Sequence, residues 1–197
     1  GNAELSNEYD DIALHYNKNE LNFIVSDYRG YGLSSGSPTK SNLHSDSKTI
    51  FSYVDSYLIE NNYLNKKIIM GRSLGSASAS EIISNQKFDI DGCIIESGFG
   101  TETPLMNILG INPEDIDYKA EDGFENLKKI SRNDGPLFII HADQDDIIPL
   151  DEAKLIYNNS KSNQKELWVI DNANHNNILV HTQSQYFIRI KEFIDKL

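Results

Sequence analysis

The sequence has one cysteine, few basic residues and no long apolar run. The single cysteine, Cys93, excludes an internal disulfide, and its apolar neighbours indicate a small buried side chain on a strand. The 18 Lys and Arg are outnumbered by 30 Asp and Glu, so the surface repels phosphate backbones and nucleic-acid binding is not expected. No run approaches the roughly 20 apolar residues that span a bilayer, so this segment gives no indication of membrane association. One unpaired cysteine fits a reducing compartment, and we expect a cytoplasmic protein.

Short apolar runs alternate along the chain with amphipathic stretches, the pattern of buried parallel strands separated by helices. The predicted strands are residues 22–27, 67–70, 91–96, 137–141 and 166–170. The predicted helices are residues 1–16, 43–60, 77–84, 102–109, 121–130, 151–158 and 186–194. This order predicts an α/β fold with a mostly parallel sheet and helices on both faces. Because 197 residues can bury one sizeable core, we expect a single domain over residues 1–197.

The motif Gly71-Arg72-Ser73-Leu74-Gly75 lies between a predicted strand and a predicted helix. A serine at the apex of such a turn exposes its hydroxyl above the sheet, and the flanking glycines allow strand and helix to approach closely. The alternative interpretation of the motif alone is an ordinary strand-to-helix turn with a bystander serine. A base and an acid at later strand ends decide between the two.

Acidic and histidine side chains follow the next strands. Asp143, Asp145 and Asp146 come just after the strand at 137–141, and His175 follows the strand at 166–170. The order serine, aspartate, histidine is typical of α/β-hydrolases. A serine hydroxyl needs an imidazole to take its proton, and the imidazole needs a carboxylate to hold its tautomer.

Metal binding is a weaker interpretation of the acidic loop. A calcium site needs a full shell of oxygen ligands with a closing Glu, and these do not follow at loop spacing. We therefore expect neither a metal nor another cofactor. The remaining histidines fit surface, packing or orienting roles better than catalysis; they are His15, His44, His141 and His181.

At this point the sequence resembles a known family, the Bem46-like and ABHD17-like group of α/β-hydrolase serine hydrolases. The matching segments are spread over nearly the whole chain. They are Gly1-Asn2-Ala3-Glu4, Asp27-Tyr28-Arg29-Gly30-Tyr31-Gly32, Gly71-Arg72-Ser73-Leu74-Gly75, Glu96-Ser97, the run from Asp145 to Pro149, and Ala173-Asn174-His175-Asn176.

The resemblance implies roles for five residues. Ser73 would be the nucleophile and His175 the base. Asp145, which precedes an apolar pair and a proline, would be the acid, and we expect it rather than its acidic neighbours to hydrogen-bond His175. The backbone N–H groups of Asn2 and Leu74 would form the oxyanion hole.

The resemblance also implies features of the fold. The family's N-terminal strands are absent from this sequence, and one of them would lie between the strands at 22–27 and 67–70. We therefore expect the natural protein to contain a preceding segment. No large cap domain is expected, but residues 97–136 could form a small helical lid. Arg72 is expected to be an ion-pair or loop anchor.

The function indicated is hydrolysis of carboxylic esters or thioesters through an acyl-enzyme, on a small-molecule or acyl-chain substrate. A serine peptidase with the same residues is one alternative, and a non-catalytic binding protein of this fold is another. Four apolar residues of the lid region could line an acyl pocket or could equally face the core. They are Leu105, Met106, Ile108 and Leu109.

Overall fold

The computed structural model describes residues 5–197, and a parallel sheet forms the centre of this part of the chain. Four strands lie in the order β1-β2-β3-β4, each parallel to the next. The strands are β1 (Ile68–Arg72), β2 (Gly92–Glu96), β3 (Leu137–Ala142) and β4 (Lys165–Ile170). The register pairs the last residues of β1 and β2, so the strand ends lie at one edge of the sheet.

Helices precede the first strand, fill the connections between the strands and follow the last strand. The α-helices are α1 (Asp10–Lys18), α2 (Lys40–Glu60), α3 (Gly75–Ile83), α4 (Thr103–Ile108), α5 (Asn126–Ile130), α6 (Leu150–Asn159), α7 (Ile178–Thr182) and α8 (Ser184–Asp195). Short 3₁₀-helices lie at Ser6–Glu8, Pro113–Ile116 and Ala120–Asp122. None of the helices in residues 5–197 combines the length and hydropathy needed to cross a bilayer.

The two largest buried clusters lie one on each face of the sheet. Ile94 and Phe138 point to the face covered by α1, α7 and α8. Cys93, Ile95 and Ile139 point to the face covered by α3, α5 and α6. Successive strand residues point to opposite faces, so continuous apolar runs bury both sides of the sheet. The predicted parallel sheet with helices on both faces is confirmed.

The strand predicted at residues 22–27 is not a strand in the structure. Phe23 stacks on Tyr16 with ring centroids 4.8 Å apart, but Ile24 is 55% exposed. A strand requires a neighbour that pairs its N–H and C=O groups. Within residues 5–197, no strand forms a ladder with this segment, which therefore runs as irregular chain beside the core.

The helix predicted at residues 121–130 is interrupted, with α5 forming only its last turn. The Lys40 ammonium donates to the carbonyl oxygens of residues 121–123 at 3.0 to 3.1 Å. The N–H of Phe124 donates to the Glu102 carboxylate. A continuous helix would pair these backbone groups with one another. Side chains distant in sequence form hydrogen bonds with these groups instead. The helix α5 therefore begins at Asn126, beyond this segment.

We predict that the Cys93 thiol is unreactive until the protein unfolds. Cys93 is 1% exposed, and burial raises the pKa of its thiol to about 12, so little reactive thiolate is present at neutral pH. A thiol reagent such as Ellman's reagent should react only after denaturant is added. The matched control is Ser52→Cys on the exposed face of α2, which should react at once. Rapid reaction of Cys93 in the folded wild-type protein would contradict this placement.

Candidate active site

Ser73 lies on a sharp turn between β1 and α3. Its φ of 52° is left-handed, a strained conformation for a serine. Its N–H donates to the carbonyl oxygen of Glu96 on the neighbouring strand, at 2.9 Å. A Cβ on Gly71 would lie 2.3 Å from the carbonyl oxygen of Gly75, so close contact between strand and helix requires glycine here. The turn expected from the sequence is present, with Ser73 at its apex.

His175 contacts both Ser73 and Asp145. Its Nε2 lies 3.0 Å from the Ser73 hydroxyl, and its Nδ1 lies 2.8 Å from a carboxylate oxygen of Asp145. The imidazole is 5% exposed and so is largely shielded from water. Because a carboxylate only accepts, Nδ1 carries the proton and Nε2 is free to accept one from the serine. The structure thus joins three residues from three separate loops in one hydrogen-bonded chain.

Asp145 is held as an anion by the loop that carries it. Its other carboxylate oxygen accepts the N–H groups of Ile147 and Ile148 at 3.0 and 2.7 Å. Burial raises the pKa of Asp145, but the hydrogen bonds from His175 and Ile148 outweigh that effect and hold the pKa below its ordinary value. The neighbouring aspartates of the loop are exposed. Of the three aspartates in this loop, Asp145 is the one that hydrogen-bonds His175.

His141 supports this loop from the end of β3. Its Nε2 donates to the carbonyl oxygen of Ile148 at 2.7 Å and lies 3.5 Å from the Asp145 carboxylate. Burial lowers the pKa of His141, which favours the neutral ring. The sequence suggested packing or an orienting hydrogen bond for this residue, and the structure shows the bond. Its contact with the acid was not expected.

Of the two backbone N–H groups expected in the oxyanion hole, the structure describes the one of Leu74. Leu74 is the N-cap of α3, where N–H groups have no acceptor within the helix and negative charge is stabilised. Its N–H is therefore suited to a developing oxyanion beside Ser73. Asn2 lies outside the described residues.

A cleft of about 200 Å³ opens beside the turn at Leu74. Its walls are mostly aromatic and aliphatic, and the ion pair of Arg29 and Asp46 lies at its rim. The apolar and aromatic lining residues are Tyr28, Tyr31, Pro38, Leu43, Leu74 and Phe124.

The four residues of segment 97–136 that were considered for an acyl pocket do not line this cleft. Leu105 packs against the buried cluster that includes Phe99 and Ile148, the core-facing alternative. Ile108 and Leu109 are exposed by 57% and 73%. The cleft is formed mainly by the loop before α2 and by the first turn of α2. The sequence did not indicate the cleft, because this segment meets Leu74 and Phe124 only in the folded chain.

Arg72 and Glu96 form an ion pair close to His175, with Arg72 Nε 3.1 Å from Glu96 Oε1. The expected anchoring role of Arg72 is met by this pair and by a bond to the backbone of His175. The involvement of Glu96 and of Tyr186, which donates to it, was missed because neither belongs to a catalytic motif.

Among residues 5–197, no group of three His, Cys, Asp or Glu side chains is arranged to hold a metal.

A family model described as "Serine aminopeptidase, S33" matches residues 1–111, more than half of the chain. The chain is 28% identical to alpha/beta hydrolase domain-containing protein aho-3 of Caenorhabditis elegans, over 93% of this chain and 51% of that protein. It is 29% identical to human alpha/beta hydrolase domain-containing protein 17C, over 88% of this chain and 49% of that protein. The chain thus spans about half the length of these relatives.

A solved structure shows the same architecture. The monoacylglycerol lipase of Paleococcus ferrophilus superposes with a TM-score of 0.74 at 16% identity, covering 98% of this chain and 90% of that one. At this identity the likeness establishes the fold alone. The sheet and helices described here therefore form an α/β-hydrolase fold, as the resemblance in sequence implied.

We predict that Gly71→Ala destabilises the protein. The added Cβ would meet backbone atoms of Gly75 at 2.3 and 2.6 Å, which cannot move without displacing α3. Overpacking of this kind costs typically 1–3 kcal/mol in the free energy of unfolding, occasionally more. Urea denaturation followed by the fluorescence of the single tryptophan measures the loss.

The control is Gly135→Ala, whose Cβ would meet only the end of the Asn133 side chain, at 3.3 Å. Its effect should stay within about 0.5 kcal/mol. Equal effects of the two substitutions would show that the close approach at Gly71 is not as described.

Proposed function

The chain belongs to the serine aminopeptidase S33 family of α/β-hydrolases, and on that premise we propose that it cleaves carboxylic esters or thioesters through an acyl-enzyme. The observation that carries the proposal is the continuous chain of hydrogen bonds from Ser73 through His175 to Asp145, at 3.0 and 2.8 Å. These distances lie within the reach required for a nucleophile, its base and the group that orients the base.

The first half of the proposed reaction forms the acyl-enzyme. The Ser73 oxygen attacks the carbonyl carbon while its proton passes to Nε2 of His175. The Asp145 anion stabilises the imidazolium that results. The N–H of Leu74 donates to the oxyanion, with the N–H of Asn2 proposed as the second donor. The tetrahedral intermediate then expels the alcohol or thiol, which takes the proton from Nε2.

The second half regenerates the serine. A water molecule gives its proton to Nε2 of His175 and attacks the acyl carbon, and the second tetrahedral intermediate expels Ser73 with that proton. The products are a carboxylic acid and the free enzyme. The same proton path serves both halves, so no further titratable group is needed.

The apolar cleft beside Leu74 supports an ester or thioester with an apolar acyl group. Aromatic and aliphatic walls favour burial of a hydrocarbon chain. Removing apolar surface from water is favourable by about 25 cal/mol of free energy per Å². A serine peptidase is the second candidate, since the family description names an aminopeptidase. A positively charged substrate amine would need an unpaired carboxylate, but Asp46 at the cleft rim is already paired with Arg29.

We predict that Ser73→Ala abolishes hydrolysis while the protein stays folded. Removing the nucleophile of a serine triad costs on the order of 10⁶-fold in kcat. A fluorophosphonate probe should label the wild-type protein and not the variant. The control is Ser52→Ala on the exposed face of α2, which should still label. Labelling of the Ser73→Ala variant, or none of the wild type, would refute the proposal.

We predict that Leu43→Trp shifts the preference towards short acyl chains. The indole ring of tryptophan is larger than the leucine side chain and would occupy the cleft. The value of kcat/KM should therefore fall more for octanoyl than for acetyl p-nitrophenyl esters and thioesters. The control is Tyr53→Trp, which enlarges an exposed residue of α2 that does not line the cleft. Aminoacyl p-nitroanilides test the peptidase alternative in the same assay. An unchanged ratio between the two chain lengths would place the acyl group elsewhere.

A further inference from the structure

We propose that Arg72 is a positioning residue that holds His175 in line with Ser73. This role rests on the proposed function. Arg72 is the residue directly before Ser73 in the chain, and its guanidinium reaches across the strand ends to the loop of His175. One residue thus connects the backbone that carries the nucleophile with the backbone that carries the base.

The contacts of the guanidinium define this connection. Its Nη2 donates to the carbonyl oxygen of His175 at 2.8 Å and lies 3.4 Å from the side-chain oxygen of Asn176. Its Nε donates to a carboxylate oxygen of Glu96 at 3.1 Å. The planar fork of an arginine fixes the directions of its donors, so the position of Glu96 determines where Nη2 points. Lysine, with one rotatable charge, would lack this directional constraint.

Glu96 in turn is held from the opposite side. Its side chain is 7% exposed, and a carboxylate so buried requires both a cation and hydrogen bonds. Arg72 supplies the cation, and the Tyr186 hydroxyl of α8 donates the further hydrogen bond. Burial and the negative charge of Glu96 raise the pKa of Tyr186 well above its usual value, so the hydroxyl remains a donor. The guanidinium is therefore anchored on two strands and a helix before it reaches the loop.

Arg72 gives the loop of His175 a backbone hydrogen bond to β1. The other backbone hydrogen bonds of this loop are local or run to the loop after β3: Asn177 accepts the N–H of Asn174, Asn174 accepts the N–H of Asn176, and the carbonyl oxygen of Ala173 accepts the N–H of Gln144. These bonds shape the turn but do not place it relative to β1. The bond from Arg72 does, because Arg72 is the last residue of β1. A displacement of about 1 Å between reacting groups can lower a rate by about 10²-fold.

A purely structural ion pair would behave differently from a positioning residue. Loss of a structural pair lowers stability and reduces the amount of folded enzyme, without changing kcat per folded site. Loss of the positioning bond lowers kcat itself while KM is preserved, since the substrate cleft is formed by other residues. The matched pair for comparison is Lys129 with Glu81, at 2.6 Å, which joins α5 to α3 and is similarly buried.

The experiment compares Arg72→Met, Arg72→Lys and Lys129→Met in the full chain. Fluorophosphonate titration counts active sites, ester hydrolysis gives kcat and KM, and thermal unfolding gives Tm. We expect Arg72→Met to lower kcat by about 10²-fold with KM changed by less than about threefold. Arg72→Lys should recover part of kcat, because an ammonium can still donate one hydrogen bond. Lys129→Met should lower Tm as much as Arg72→Met but keep kcat.

The outcomes separate this role from the proposed function. A wild-type protein that neither labels nor hydrolyses esters would overturn both. An active wild type whose Arg72→Met variant keeps its kcat, or loses no more than Lys129→Met does, would overturn the positioning role alone. If Arg72→Met does not fold, Glu96→Gln tests the same connection, since it keeps the shape and removes the charge that anchors the guanidinium. Its kcat should fall at unchanged KM, and an unchanged kcat would overturn the proposal.

Discussion

Parallel pairing of the four strands is the constraint on which the site depends. Because every strand runs in the same direction, the loops that follow β1, β3 and β4 emerge at one edge of the sheet. Ser73 and His175 are 102 residues apart in sequence, yet they meet at that edge within hydrogen-bonding distance. The helices pack on both faces of the sheet and leave this edge open. The common direction of the strands therefore determines where Ser73, Asp145 and His175 come together.

Buried carboxylates at this edge are each satisfied by several donors, which gives the loops their fixed shape. Asp145 accepts two backbone N–H groups as well as His175. Glu152, at the start of α6, accepts the N–H groups of Gly100 and Thr101 and the hydroxyl of Thr101. An unsatisfied buried carboxylate would cost several kcal/mol, so each loop is held where its donors lie. The segment of residues 97–136 therefore starts from a fixed position, although Ile108, Leu109 and Ile116 within it are exposed.

The sequence predicted those features that depend on local pattern. Apolar runs and helical spacing identified β1 to β4 and most helices, because burial on both faces imposes a continuous run on each strand. The motif around Ser73 predicted the turn, because only glycine permits the contact between strand and helix there. The predictions of secondary structure were wrong where groups distant in sequence determine the backbone conformation. Residues 22–27 have strand-like composition but no ladder partner in the described chain, and residues 121–130 are interrupted by bonds to Lys40 and Glu102.

The sequence by itself determined the fold class, the order of Ser73, Asp145 and His175 along the chain, and the strand end that each one follows. Only the tertiary structure decided how these residues are oriented and supported. In the folded chain Asp145 hydrogen-bonds His175 while its acidic neighbours are exposed, and His141 lies against Asp145. Arg72, which is held by Glu96, hydrogen-bonds the loop of His175. The physical reason is that periodicity records which residues are buried, whereas hydrogen bonds between distant loops depend on side-chain directions that arise only when the strands are packed.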